Sequence, residues 1–157
     1  MARTTLLPPG SRDRDNFFYN VDAAVGPGCP NKRDDVLLVQ YFMVTINNNP
    51  NAFSPVVPPL PLEPNEILRP DGIAGPITFR AIKHFQDVSK SRGNEIANDG
   101  RVDKARGSGR AATLRTTFTI IFLNSAYRAI RLGQFQNIAI LNGVCPEELR
   151  EVFSLLP

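Results

Sequence analysis

The chain has 157 residues, a formal net charge of +3 at pH 7 and 42% hydrophobic residues, which is typical of one globular domain with or without arms. The mild charge and the absence of tryptophan argue against a stacking platform for nucleic acid. No apolar run reaches the ~20 residues that span a bilayer. We therefore predict neither nucleic acid nor a membrane as a partner.

Residues 1–33 are predicted to form an irregular N-terminal arm. Prolines, glycines and a charged run at residues 12–15 oppose regular structure in this part of the chain. Three adjacent aromatic residues, Phe17, Phe18 and Tyr19, interrupt the polar segment. Such a cluster packs either on its own domain or on a partner protein, so these residues are candidates for protein docking.

A single helical domain is predicted over residues 34–157. The segment Val36–Ile46 is apolar on most sides, which indicates a central, buried helix. The polar run Asn47–Asn49 and the following proline end it. Seven prolines between residues 50 and 70 exclude a helix and predict an extended connection. This proline-rich loop is a second candidate surface for a protein partner.

The next segment, residues 71–86, is the most informative stretch of the sequence. It opens with a turn signal, Asp71-Gly72, because glycine accepts a positive φ and aspartate bonds its own backbone. Gly75-Pro76 then predicts a helix start, since the missing N–H of proline would be unpaired at the first helical position. The helix is expected to end near Ser89 or Lys90. Its buried face follows the spacing i, i+3, i+4 and i+7 at Thr78, Ala81, Ile82 and Phe85.

Two further helices are predicted in the C-terminal part. Thr116–Leu132 has the length and apolar spacing of a helix, although its β-branched start is also compatible with a strand. The last helix runs from Pro146 to about Leu155, with Glu147 and Glu148 well placed for the helix dipole. The predicted fold class is therefore all-α.

The pattern of residues 71–86 resembles the peptidoglycan-binding domain, a small helical module found beside many wall hydrolases of bacteria and phages. The family motif is matched by Asp71, Gly72, Gly75, Pro76, Thr78, Ala81, Ile82, Phe85 and Gln86. Val39-Gln40 is close to the Leu-Gln of the family's first helix, and Asn98–Asp103 partly repeats the first turn. The resemblance covers residues 34–105. It implies a helical bundle of that family, extended here by the proline-rich loop and by residues 106–157.

The resemblance also implies a ligand groove beside the turn and the second helix. Glycines there let a ligand approach the backbone, the helix start offers N–H groups to an anion, and Arg80 could pair with a carboxylate of the stem peptide. The same residues are also what building a turn and a cap would require, and Gln40 and Gln86 could be buried amides that tie loops to helices. The candidate peptidoglycan-binding residues are Asp71, Gly72, Ile73, Gly75, Thr78 and Arg80.

Catalysis is not predicted. A zinc hydrolase needs several ligands around an open metal position, but the sequence holds a single histidine, His84. Asp71, Asp99 and Asp103 lie in turn contexts that explain them, and no glycine-rich phosphate loop is present. We therefore expect no catalytic residue, no metal and no cofactor. Whether Cys29 and Cys145 form a disulfide stays open.

These observations predict a non-catalytic module that binds the glycan strand or the stem peptide of peptidoglycan and anchors a partner or an assembly at the wall. The alternative is a structural or adaptor protein of a phage tail or contractile injection assembly, which keeps the fold but binds protein. No secretory signal is evident at the N-terminus. The chain is thus expected to be cytoplasmic as made and to reach the wall through lysis or an injection machine.

Overall fold

Two short strands and four α-helices make up the described part of the chain in a computed structural model, which describes residues 1–6, 17–52, 58–106, 116–131, 133, 135–140 and 145–154. Short 3-10 turns lie at Pro50–Ala52 and Phe135–Ile140. The elements are β1 (Arg3–Leu6), β2 (Phe17–Asn20), α1 (Arg33–Asn47), α2 (Pro76–Ser91), α3 (Thr119–Ile130) and α4 (Glu147–Ser154).

The two strands correct the predicted fold class. β1 and β2 pair antiparallel, with Arg3 opposite Asn20 and Leu6 opposite Phe17, so the all-α prediction is wrong and residues 1–33 are not an irregular arm throughout. Threonines in β1 and aromatic residues in β2 favour the extended conformation. Each strand has only four residues, so this preference is a weak signal in the sequence. The predictions for residues 7–16, 53–57, 107–115, 132 and 155 fall outside the described residues.

Helix α1 is the centre of the core, as its sequence predicts. It begins at Arg33 and ends at Asn47, and every residue from Asp35 to Met43 is buried. Its aromatic residues pack against Tyr127 of α3, with ring centroids 4.7 Å from Phe42 and 5.5 Å from Tyr41. The hydroxyls of Tyr41 and Tyr127 lie 3.0 Å apart. Burial, followed by this hydrogen bond, raises the pKa of Tyr127 well above its ordinary value.

Helix α2 begins as predicted, with Gly75 as the N-cap and Pro76 in the first turn. The described part of the proline-rich loop runs along the seam between α1 and α2. Leu60 is buried, and its N–H donates to Asn47 Oδ1 over 2.6 Å. The carbonyl oxygen of Pro58 lies 2.9 Å from His84 Nε2. These contacts attach the described part of the loop to both helices, and they bury Leu60 and Leu68 while most of its other described residues stay exposed.

Helices α3 and α4 lie within the two predicted C-terminal segments. α3 starts three residues later than predicted, because Thr117 forms a parallel bridge with Ile96 and its N–H donates to Glu95 O over 2.7 Å. The β-branched start of this segment is thus extended, and only the part from Thr119 is helical. In the described residues, no helix has the length and apolar character needed to cross a membrane.

Asp22 joins the sheet to α1 and to the segment before residue 107. Its carboxylate lies 2.9 Å from Lys32 Nζ, 3.2 Å from Lys104 Nζ and 3.8 Å from Arg3 Nη2. The hydrogen bond from Lys32, and then that from Lys104, holds the pKa of Asp22 far below its ordinary value of 3.8. A carboxyl group whose pKa is lowered on folding stabilises the folded state at pH values above its unfolded pKa.

We expect Asp22→Asn to destabilise the protein at neutral pH, because the lysines lose their charged partner. The difference in free energy of unfolding between the variant and the original chain should shrink as the pH falls from about 4 towards the lowered pKa, where the carboxylate is protonated in both states. Urea unfolding at about pH 7 and about pH 3 measures this. Glu151→Gln, at an exposed carboxylate of α4, is the control, and an equal loss of stability at both pH values would contradict the expectation.

Candidate functional site

The turn at Asp71–Ile73 is held in place by the buried side chain of Gln40 from α1. The carboxamide nitrogen of Gln40 donates to Asp71 Oδ1, Ile73 O and Thr78 Oγ1, each at 3.0 Å. Its oxygen accepts from the N–H of Gly72 at 2.8 Å. Gln40 is 2% exposed, so this one side chain satisfies both backbone and side-chain groups of the turn and ties them to the central helix.

Gly72 is a position that only glycine fills without strain. Its φ is +74°, and an added Cβ would lie 2.9 Å from Cγ of Arg33. The guanidinium of Arg33 crosses the turn, where Nη1 donates to Asp71 O over 2.9 Å and Nη2 pairs with Glu148 over 2.9 Å. The turn is therefore enclosed by α1 on one side and connected to α4 on the other.

A second turn repeats this arrangement around Gln86 of α2. The carboxamide nitrogen of Gln86 donates to Arg101 O at 2.8 Å and to Thr119 Oγ1 at 2.9 Å, and its oxygen accepts from the N–H of Gly100 at 2.8 Å. Gly100 has a φ of +75°, as Gly72 does. The partial sequence repeat at Asn98–Asp103 thus corresponds to a repeated structure, in which Thr119 takes the place that Thr78 has in the first turn.

Besides Gly72, which is enclosed within the turn, three of the six candidate binding residues have side chains with internal hydrogen-bond or ion-pair partners. Asp71 Oδ1 accepts from Gln40 and from the N–H of Ile73, which lies 2.9 Å away. Thr78 is 3% exposed and bonded to Gln40. The guanidinium of Arg80 pairs with Glu66 of the proline-rich loop. These side chains hold the turn, the start of α2 and the proline-rich loop together. The sequence left open whether they serve structure or binding, and these bonds are structural.

The other two candidates, Ile73 and Gly75, lie at an open surface groove with a volume of about 160 Å³. Ile73 is 67% exposed, and an added Cβ at Gly75 would meet no atom within 4 Å. The opposite wall is the end of the proline-rich loop, where Ile67 is 56% exposed. We call this the turn groove, and its lining includes Ile67, Arg69, Asp71, Ile73, Gly75 and Thr78.

Arg69 and Ile67 are groove residues that sequence reasoning missed. Arg69 is exposed and makes no ion pair or hydrogen bond with the described residues. Helix α2 also starts without a side-chain cap, and its first residues line this end of the groove, so its first N–H groups have no side-chain partner there. Their position in the sequence could have indicated a place in the groove. Ile67 and Arg69 come just before Asp71-Gly72, at the end of a loop that must return to the turn.

The described residues contain no group of three or more His, Cys, Asp or Glu side chains that could hold a metal ion. His84 contacts the carbonyl of Pro58. Both cysteines are free: Cys29 is half-buried and Cys145 is buried. Burial raises the pKa of Cys145 to about 12, so this thiol stays protonated near neutral pH and is a poor nucleophile.

The aromatic cluster of β2 packs mainly inside its own domain. Phe18 is 3% and Tyr19 is 2% exposed, while Phe17 is half-buried. The hydroxyl of Tyr19 donates to Phe135 O over 2.7 Å. Phe18 and Tyr19 are therefore core residues and not the protein-docking residues that the sequence suggested. Aromatic rings of this size bury a large apolar area when they pack inside the domain. Of the three residues, Phe17 alone keeps a partly accessible ring.

No protein-family model, no curated protein and no solved structure matches this chain. The resemblance of residues 34–105 to peptidoglycan-binding domains accordingly stays a prediction that depends on the motif alone.

Proposed function

We propose that this chain is a non-catalytic module that binds peptidoglycan in the turn groove and anchors a partner or an assembly at the bacterial wall. The observation that supports the proposal most is the pair of exposed isoleucines, Ile67 and Ile73, beside the exposed cation of Arg69. Exposed apolar side chains that line a groove next to a charged group are typical of a binding site. A stem peptide offers matching chemistry, with short apolar side chains and carboxylates.

The proposed roles follow from accessibility. Arg69 binds a carboxylate of the stem peptide, because a guanidinium donates two parallel hydrogen bonds to such a group. The N–H groups at the start of α2 favour the same negative charge. Ile67 and Ile73 bind the apolar part of the ligand. From the sequence, Arg80 was the residue expected to bind this carboxylate. In the structure it instead pairs with Glu66 and holds the proline-rich loop against α2.

A second candidate function is a structural or adaptor role in a phage tail or injection assembly. It is favoured by the internal bonding of Asp71, Thr78 and Arg80, since a scaffold that had lost its ligand would keep these residues for stability alone. In that case the exposed isoleucines would contact protein.

Sedimentation with purified insoluble peptidoglycan separates the two candidates. We expect the original chain to be retained and Arg69→Ala to weaken retention roughly tenfold, because a hydrogen-bonded charge is lost. Ile73→Ser should weaken retention as well. The control is Lys90→Ala, an exposed cation near the other end of α2, on the order of 20 Å away.

Retention that is absent in the original chain would contradict wall binding, and so would equal retention of all variants. Co-purification of a protein partner that Ile73→Ser abolishes would then support the adaptor function. Circular dichroism of each variant checks that helicity is unchanged.

A further inference from the structure

A second groove lies on the face of the two-stranded sheet and has a volume of about 320 Å³. Phe17 and Tyr19 of β2, together with Phe153 of α4, form its aromatic floor. Thr4 and Leu6 of β1 also line it, as do Gln136 and Asn137 of the 3-10 turn. We call it the sheet groove. Its volume is that of a site for a small ligand, at the lower end of the usual range of ~300–1000 Å³.

The floor is rigid because the aromatic rings pack on one another. Tyr19 makes edge-on contacts with Phe17 at 5.5 Å and with Phe153 at 4.8 Å between ring centroids. Phe17 also stacks on Phe135 at 5.7 Å. Tyr19 and Phe153 are buried, whereas Phe17 is half-buried, so a ligand with a flat apolar side would contact mainly the ring of Phe17, which the other rings hold in place.

The polar rim is placed by the hydroxyl of Tyr19. It donates to Phe135 O over 2.7 Å and accepts from the N–H of Ile138 over 3.2 Å, and it thereby fixes both ends of the stretch that carries Gln136 and Asn137. The carboxamide of Asn137 is exposed and has no hydrogen-bond partner among the described residues. Thr4, which carries a hydroxyl, also lines the groove.

None of the described residues that line the sheet groove carries a charge, and the polar groups that they offer are hydroxyls and carboxamides. Leu6 is 79% exposed at its edge, so the groove also carries apolar surface that water does not favour. We infer that the sheet groove binds an uncharged pyranose sugar, whose apolar ring face lies on the ring of Phe17 and whose hydroxyls reach Thr4 and Asn137. This inference stands on the lining of this groove and does not depend on the turn groove.

The test is a titration of the isotope-labelled full chain by NMR, with glucose and N-acetylglucosamine as probes and with uridine as a flat, uncharged comparison. We expect saturable shifts at Thr4, Phe17 and the Asn137 side-chain amide. Asn137→Ala and Thr4→Val each remove one polar group from the rim and should weaken sugar binding about fivefold. The control Asn94→Ala changes an exposed amide outside the groove and should leave binding unchanged.

The absence of saturable shifts with both sugars would overturn the inference, and so would shifts located elsewhere or binding of uridine as tight as that of the sugars. The same titration on Arg69→Ala separates the two grooves. Sugar shifts that persist in that variant support an independent sheet groove, whatever the outcome of peptidoglycan sedimentation. Loss of the sheet-groove shifts on Arg69→Ala would contradict a site that acts by itself.

Discussion

Replacing Gln86 with leucine is expected to lower the free energy of unfolding by about 2–5 kcal/mol, because buried groups lose their hydrogen-bond partner. Gln86 is fully buried, with 0% exposure. Leucine has a similar volume, so the packing cost is small. The N–H of Gly100 and the hydroxyl of Thr119 are left without the carboxamide that they contact at 2.8 and 2.9 Å. Each unsatisfied group in such a place costs ~1–3 kcal/mol.

Urea unfolding monitored by circular dichroism measures the effect. The control is Lys90→Leu, which places the same residue at an exposed position of α2 and is expected to change stability by no more than about 0.5 kcal/mol. Faster amide hydrogen exchange at Gly100 should accompany the loss in Gln86→Leu. A change below about 1 kcal/mol with unaltered exchange would show that the second turn does not depend on this side chain.

The sequence predicted best those elements whose signals are local. α2 was found with its start, because Gly75-Pro76 and the apolar spacing after it lie within one helix. α1 was found from its uninterrupted apolar run. The turn at Asp71-Gly72 was also recognised, and its positive φ agrees with the glycine. Each of these features is decided by residues that are close to one another in the chain.

The sheet was missed because its pairing is not local. Thr4 lies opposite Tyr19, and the ten residues 7–16 between the strands carry turn and charge signals that favour irregular structure. A four-residue strand holds only two residues of a buried face, so its alternation is too short to recognise. The three aromatic residues of β2 stand out in the sequence. Their burial, however, depends on α3 and α4, which come about one hundred residues later.

The turn and the helix start beside the candidate site agree with the prediction, but the assignment of its side chains does not. Sequence reasoning located the turn and the helix start, yet it could not tell which side chains have internal partners. Arg80 was available in the sequence but is paired with Glu66, whereas Arg69 is exposed in the groove. That difference depends on how the proline-rich loop returns along α2. No local pattern encodes this path, because a proline-rich segment lacks the periodicity that would show which side faces the protein.

Within the described residues, a side chain and not a third strand pairs with the free edge of β2 at Tyr19. Oδ1 of Asn124 on α3 accepts from the N–H of Tyr19 at 2.8 Å, and Nδ2 donates to Tyr19 O at 2.7 Å. The carboxamide therefore occupies the position of a neighbouring peptide group and leaves no polar group of Tyr19 unpaired in the core. It also donates to Ile120 O at 2.8 Å, which fixes its orientation on the helix.

We accordingly expect Asn124→Ala to lower the free energy of unfolding by about 2–4 kcal/mol, because the buried N–H and C=O of Tyr19 lose both partners. The loss should be concentrated at the sheet, so amide exchange at Tyr19 should accelerate more than exchange within α1. Ser125→Ala, at the exposed neighbouring position of α3, is the matched control and should leave both measurements nearly unchanged. Equal acceleration at Tyr19 and α1 would show that the sheet opens only with the whole domain, and unchanged stability would show that water replaces the carboxamide.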